Sequence, residues 1–286
     1  MKSICIKFTN QNKAKYLLEQ LDNFELDNIY FSYKKFKIYY NVIIHYKGKN
    51  IDLFCKSLAK ILSFTIIDLY EEIIIKNLIK SEYFYFNNIE KQQIDNITCE
   101  DLYNEEESIC KPEKRVEIIY QSLYNYLISN HSIVLKGFIT FRLKTYFETI
   151  LEQIDKSVSK FIVEKEYTEF ISLLKIYVNS EKSTCNEIHL IYNNSKPILL
   201  DENKNVIKIE DDLLKTKYLS DITFSSNDFA LNTLLNLIPK KIHIHLIDKN
   251  IDEFVNTIKL IFEDRVDFCN DCEICKIYQK SPAIKI

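Results

Sequence analysis

The sequence predicts an α+β protein with a small N-terminal β-α-β-β-α lobe, a central helical region and a C-terminal mixed sheet that contains a βαβ unit. Two observations lead to this prediction. Short runs of alternating apolar and polar residues lie near both ends of the chain, and apolar residues recur every three or four positions through its middle. The chain has 286 residues, 47% of them hydrophobic, which is enough to bury a substantial core.

The N-terminal lobe is predicted over residues 1–86. The segment "SICIKF" has the alternation of a strand, and a short helix is expected over 12–21. The segment "NIYFSYKKFKIYYNVIIHYKG" then predicts a hairpin that turns near Lys34 and Lys35. A long helix from about Asp52 to Lys80 completes the lobe.

A loss of pattern separates this lobe from the rest of the chain. Residues 87–114 show no sustained period and include the acidic run Glu105 to Glu107, while Pro112 suits the first turn of a new helix. We therefore expect an acidic, mobile connection over 87–114 and a second region, helical and then α/β, over 115–286.

Helices and then strands are predicted in the second region. Apolar stripes at helical spacing run from Val116 to Leu127, from Leu143 to Phe161 and from Phe170 to Tyr177. The pattern then predicts, in order, strands "EIHLIY", "PILLD" and "NVIKIE", a helix over 227–237, strand "KIHIHLI", a helix over 251–262 and strand "RVDFC". The last three elements have the length and order of one βαβ unit.

Composition excludes several classes of protein. Gly48 and Gly137 are the only glycines, so the sequence contains neither a P-loop motif nor a Rossmann glycine fingerprint. No nucleotide cofactor is therefore expected. The 38 basic and 41 acidic residues nearly cancel, which gives no global attraction to nucleic acid. No apolar run reaches the roughly 18 residues of a membrane span, and the first residues do not resemble a signal peptide. The expected location is the cytoplasm, where cysteines stay reduced.

Three cysteines near the C-terminus form the most specific motif. Cys269, Cys272 and Cys275 follow one another at a spacing of three in "FCNDCEIC". Three thiolates leave a tetrahedral zinc one ligand short, and a histidine would complete a Cys₃His site. In the predicted βαβ unit, His245 and Cys269 lie on the same face near the same strand ends, so His245 is the expected fourth ligand.

Other interpretations of these cysteines stay open. An iron–sulfur cluster ranks behind zinc, because the position of the fourth ferredoxin cysteine is occupied by Gln279. Clustered thiols also suit a redox sensor, and a polar tail with reduced, exposed cysteines is the alternative without function.

Two basic residues, Arg142 and Lys144, lie in the most apolar helical segment, "IVLKGFITFRLKTYF". A buried arginine needs a carboxylate partner, and Glu164, Glu166 and Glu169 are the candidates. The expected role is a structural ion pair or a side chain that reaches outward to solvent, and an anion-binding site is the functional alternative.

The N-terminal hairpin raises a separate question of function. The segment "YFSYKKFKIYY" interleaves aromatic residues with Lys34, Lys35 and Lys37, as single-stranded nucleic-acid platforms do. Aromatic-rich strands usually face a core, however, and no RNP-like glycine pattern is present. Nucleic acid is therefore not the expected partner, and binding by this hairpin is kept only as an alternative.

Several blocks of the sequence resemble a known family. They are "SEYFYFNNIEKQQI", "LKGFITFRLKTYFETILEQIDKSVSKFIVEKEYTEFISLLKIYVNSE" followed by "EIHLIY", and "LNTLLNLIPKKIHIHL". From about Glu82 onward the chain resembles the sporulation protein YtxC family of endospore-forming Firmicutes. The resemblance implies a link to sporulation and implies no known reaction.

These observations lead us to expect a non-catalytic cytosolic protein that acts in sporulation through an unknown protein partner and carries a C-terminal metal site. The alternative from another class is an enzyme with a polar site around Arg142. A deep pocket with convergent polar groups favours an enzyme, and a broad apolar surface favours an interaction protein.

Overall fold

A computed structural model of the chain describes residues 1–22, 26–104, 106, 108–207 and 225–280. The chain divides into two compact units, Met1–Val163 and Glu164–Ile286, which we call the N-terminal unit and the C-terminal unit. The predicted α+β class is confirmed, since each unit combines a four-stranded sheet with helices. Glu105 and Glu107 of the acidic run, and the second half of the predicted strand "NVIKIE", lie outside the described residues.

The N-terminal unit begins with the predicted β-α-β-β-α order. Its elements are β1 (Lys2–Phe8), α1 (Gln11–Asp22), β2 (Ile29–Phe36), β3 (Tyr39–Tyr46), α2 (Ile51–Glu82), α3 (Asn88–Tyr103), α4 (Pro112–Ser129), β4 (Ser132–Val134), α5 (Leu135–Arg142) and the start of α6 (Lys144–Ser180). The hairpin turns at Lys37 and Ile38 rather than near Lys34, and Lys37 supplies the positive φ, 54°, that a tight hairpin turn needs.

The first sheet has the strand order β2-β3-β1-β4, with β4 parallel to β1 and the other pairs antiparallel. Its inner face includes Ile4, Ile6, Val42 and Ile44, which are fully buried in one apolar core with the inner sides of α1, α2 and α4. The residues between them in β1 and β3 are only half-buried, so burial alternates along both strands.

Helix α3 contradicts the irregular connection predicted over 87–114. The Asn87 side chain accepts hydrogen bonds from two backbone N–H groups of the first turn, and Glu90 completes a capping box. Ile94 and Leu102 are fully buried in the core. A capping box and two well-buried contacts stabilise a helix whose apolar residues are too sparse to show a helical period.

Helix α6 joins two of the apolar stripes that were predicted as separate helices. It is continuous from Lys144 to Ser180, and the boundary between the two units falls inside it. Its second part packs Ile171 and Val178 into the core of the C-terminal unit, whereas Phe170 and Leu173 of the predicted stripe are exposed.

The C-terminal unit contains the predicted βαβ arrangement. Its elements after α6 are β5 (Glu187–Asn193), β6 (Lys196–Leu200), α7 (Ser226–Leu237), β7 (Lys241–Leu246), α8 (Glu253–Phe262), a 3₁₀ turn (Glu263–Arg265), β8 (Val266–Phe268) and α9 (Glu273–Lys280). The sheet order is β6-β5-β7-β8, with β5, β7 and β8 parallel and β6 antiparallel. Within the described ranges, no helix combines the length and the hydropathy that crossing a membrane requires.

Candidate metal centre

The alternation along β7 determines which way its histidines point. Ile242 and Ile244 are fully buried in the core with α7 and α8, so His243 and His245 lie on the opposite face of the sheet. Directly after β8, the backbone N–H of Cys269 donates a 2.9 Å hydrogen bond to the carbonyl of Ile244. This bond continues the parallel pairing and brings Cys269 beside His245, as the sequence predicted.

The turn into α9 brings the other two cysteines to the same face. Asp271 adopts a positive φ of 66°, which reverses the chain between β8 and α9. Cys272 directly precedes the helix, and Cys275 lies in its first turn, so a spacing of three puts both thiols on one side. Ile274 is buried against Ile191 and Leu200, which fixes the helix against the sheet.

The four predicted ligand atoms converge. His245 Nδ1 is 3.4 Å from the Sγ atoms of both Cys272 and Cys275. The Cys275 sulfur is 3.9 Å from that of Cys272 and 3.8 Å from that of Cys269, and all four ligand atoms lie within 4.8 Å of one another. Around a tetrahedral zinc with Zn–S of about 2.3 Å and Zn–N of about 2.05 Å, sulfurs are about 3.8 Å apart and nitrogen and sulfur about 3.6 Å. Four of the six separations, 3.4 to 3.9 Å, are close to these lengths, and they are far longer than a disulfide bond of about 2.05 Å.

A neighbouring histidine orients the ring of His245. The Nε2 atom of His245 is 3.1 Å from Nδ1 of His189, on the adjacent strand β5. Burial, together with the nearby His189 and His243, lowers the pKa of His245 to about 4, so the ring is neutral. If Nε2–H donates to His189, the free lone pair of Nδ1 points at the thiols, which is the tautomer that a metal ligand requires.

The three thiols differ in their tendency to ionise. Burial, reinforced by the Cys272 thiol, raises the pKa of Cys269 to about 11. Burial also opposes ionisation of Cys272, but backbone N–H groups of the α9 turn and the Cys269 thiol lower its pKa below the ordinary value. A divalent cation at the centre of the cluster would favour the thiolate form of all three.

A cavity of about 370 Å³ opens beside the cluster. His189, His243, Lys204 and Glu273 supply polar groups to its wall, together with the cluster residues themselves. The His243 ring stacks on that of His189 at 5.2 Å between centroids, and its Nε2 is 3.4 Å from the Glu187 carboxylate. The cavity offers a route by which a cation can reach the cluster.

The structure does not support a buried site at Arg142 and Lys144. Helix α5 ends at Arg142, and at the next residue, Leu143, the backbone leaves helical geometry and the side chain is buried. Arg142 and Lys144, on either side of this break, are exposed, and Lys144 lies 3.7 Å from Glu148 one turn further on. Both side chains therefore reach outward to solvent, which is one of the two roles expected from the sequence, because the apolar segment is two helices rather than one.

The arginine that is buried is Arg115, which the sequence reasoning missed. Its side chain is fully buried and forms an ion pair with Glu71 of α2. Arg115 lies on the same side of α4 as Ile119 and Leu123, four and eight residues further on. Extending that apolar stripe backward by one turn would have found it.

The fold and the site define a two-unit α+β protein with a Cys₃His cluster on the polar face of its C-terminal sheet. Residues 56–267 match the YtxC-like family, and the chain belongs to this family, as its sequence blocks predicted. It is 22% identical over 195 residues to the uncharacterised protein YtxC of Bacillus subtilis (strain 168), an alignment that covers 67% of this chain and 68% of that protein. No solved structure matches the chain. The family match ends at residue 267, so it includes His245 and stops before the three cysteines.

Proposed function

We propose that the protein is non-catalytic and that its C-terminal unit is held together by a Zn²⁺ ion bound to His245, Cys269, Cys272 and Cys275. The observation that supports this proposal is that four of the six sulfur–sulfur and nitrogen–sulfur separations are 3.4 to 3.9 Å, close to the edges of a tetrahedral site, with all four ligand atoms within 4.8 Å of one another. Four protein ligands leave no coordination position for water or substrate, as in structural rather than catalytic zinc sites.

A structural role for the ion is supported by the small number of buried apolar residues that hold α9 against the sheet. The helix has eight residues, too few to be stable alone. Its described apolar contacts centre on Ile274, in a cluster with only two other buried residues, Ile191 and Leu200. A zinc ion bound to Cys272 and Cys275 on one side and His245 on the other would link the helix directly to β7.

Zinc fits the ligand set better than the alternatives. Three thiolates and one imidazole are a common structural zinc site, whereas iron–sulfur clusters are usually held by four cysteines. A redox sensor built on the same thiols is the second interpretation, because thiols 3.8 and 3.9 Å apart can approach to form a disulfide when no metal holds them.

The wider role that we propose is in the cytoplasm of a spore-forming bacterium, through a protein partner during sporulation. The support is the resemblance of the sequence blocks to a sporulation family and the lack of disulfide bonds among the eight cysteines, all of which the structure describes. Deleting the gene in a spore-former should reduce the yield of heat-resistant spores and leave vegetative growth unchanged. Unchanged spore yield would contradict this role without affecting the metal assignment.

Zinc titration tests the metal site. Protein stripped with a chelator should take up zinc in competition with a chromophoric chelator, and the ion should raise its melting temperature. Cys272→Ser should abolish both effects, because a neutral hydroxyl does not replace a thiolate. Cys185→Ser is the matched control: this half-buried thiol belongs to the same unit but lies outside the Cys₃His cluster. Equal zinc affinity in the Cys272→Ser variant and the parent protein would contradict the proposal.

A further inference from the structure

Strand β2 exposes the aromatic side chains that were expected to face a core. Tyr30, Phe31, Tyr33 and Phe36 are 53%, 37%, 38% and 64% exposed. The strand is at the edge of its sheet, beyond the part that the helices cover. These rings are therefore accessible to a ligand, although the hairpin still lacks an RNP-like glycine pattern.

The strand register assigns each of these side chains to one face of the sheet. The inner residues of β3, such as Val42 and Ile44, pair with Tyr33 and Phe31, so those two rings belong to the inner side. Tyr30 pairs with His45 and Phe36 with Tyr39, on the opposite side. We call this opposite side, formed by β2, β3, β1 and β4, the open face.

The open face carries aromatic and basic groups in separate rows. Phe36 and Tyr39 lie at one end of the hairpin, and Tyr30 and His45 lie at the other, with the two β2 rings about 20 Å apart. Between these rows, Lys34 and Lys7 flank Asn41 from the neighbouring strands β2 and β1. None of the residues that the register places on this face is acidic.

Further lysines add positive charge at both ends of the hairpin. The Nζ atom of Lys47 lies 4.5 Å from the centroid of the Tyr30 ring, and that of Lys37 lies 5.7 Å from the centroid of the Phe36 ring. Residues 1–50 contain nine lysines and four acids, although the whole chain has a formal charge of −3. The excess of positive charge is therefore local to these first 50 residues.

We propose that the open face binds single-stranded nucleic acid. Exposed rings on a sheet stack on unpaired bases, and lysines between and beside them contact the phosphates. A second copy of this chain fits less well, because two positively charged faces repel each other. The open face lies in the N-terminal unit, so this proposal is independent of the metal site.

Matched pairs of substitutions along β2 test the proposal, because adjacent residues of a strand point to opposite faces. Binding of a labelled oligothymidylate of roughly 12 nucleotides to the full chain is followed by fluorescence anisotropy. Tyr30→Ala should weaken binding on the order of tenfold, since each stacked base contributes about that much, and Phe31→Ala should leave it unchanged. Lys34→Ala should lower the slope of log affinity against log salt by about one, and Lys35→Ala should not.

Four outcomes would overturn the proposal. One is the absence of oligonucleotide binding by the parent chain at about 50 mM salt, where phosphate contacts are strong. Another is an equal loss in the Tyr30→Ala and Phe31→Ala variants, with urea unfolding confirming that both are folded. The third is equal affinity for duplex DNA, which has no unstacked bases to offer. The fourth is a dimer of the parent chain that Tyr30→Ala dissociates.

Discussion

Replacing Arg115 with methionine tests the buried ion pair that joins α2 to α4. The Arg115 guanidinium donates to both carboxylate oxygens of Glu71, at 3.1 and 3.3 Å, and to the carbonyls of Leu102 and Cys110, at 3.1 and 2.7 Å. Methionine keeps most of the volume and removes every donor. The Glu71 side chain, 3% exposed, is then buried without its cation.

The expected loss of unfolding free energy depends on the hydrogen bonds that Glu71 keeps in the Arg115→Met variant. Removing one partner of a buried ion pair costs about 3–5 kcal/mol of unfolding free energy. The Tyr146 hydroxyl still donates to Glu71 Oε2 at 2.6 Å and that of Tyr103 to Oε1 at 3.2 Å. Burial raises the pKa of Tyr146, so it remains a donor at neutral pH. We therefore expect a loss near the lower end of the range, about 3 kcal/mol.

Urea unfolding of a double-mutant cycle measures this loss. Glu71→Gln, made in the Arg115→Met background, removes the uncompensated charge and should recover about 1–2 kcal/mol. The control is Lys144→Met, which breaks an exposed pair at 3.7 Å and should cost no more than about 0.5 kcal/mol. A loss of unfolding free energy below about 1 kcal/mol for Arg115→Met would refute the reasoning. A second loss of similar size when Glu71→Gln is added to Arg115→Met would also refute it.

Two further predictions concern the metal centre and α3. His189→Ala should lower zinc affinity about 10- to 100-fold in a chelator competition, because no ring then orients His245. The control is His243→Ala, which should lower the affinity less, because the His243 ring stacks on His189 without holding His245. An equal loss of affinity in both variants would contradict the orienting role. Asn87→Ala removes the cap of α3 and should destabilise the chain by about 1 kcal/mol in urea unfolding, while Asn88→Ala, one residue inside the helix, should not. Equal stability of the two asparagine variants would contradict the capping.

The Cys₃His cluster was predictable because three local patterns agree. Alternation in "KIHIHLI" puts His245 opposite the buried isoleucines, and the length of the βαβ unit returns the chain to the same sheet at Cys269. The spacing of three then brings Cys272 and Cys275 into one helical turn. The contribution of His189 was not predictable in this way, because it depends on which strand lies beside β7.

The remaining differences between prediction and structure have tertiary causes. Helix α3 is stabilised by a cap and by contacts with residues distant in the chain, neither of which gives a hydrophobic period. Arg115 and Glu71 are 44 residues apart, so no local pattern relates them. The side chains of β2 are exposed because it is an edge strand, and the sequence of an edge strand can look like that of a buried one.

X-ray absorption at the zinc edge, on protein purified without added chelator, tests the metal centre most directly. We predict one zinc per chain, with three sulfur ligands at about 2.3 Å and one nitrogen at about 2.0–2.1 Å. Protein that contains no metal when freshly prepared, or zinc bound mainly by oxygen, would contradict the assignment of His245, Cys269, Cys272 and Cys275 as its ligands.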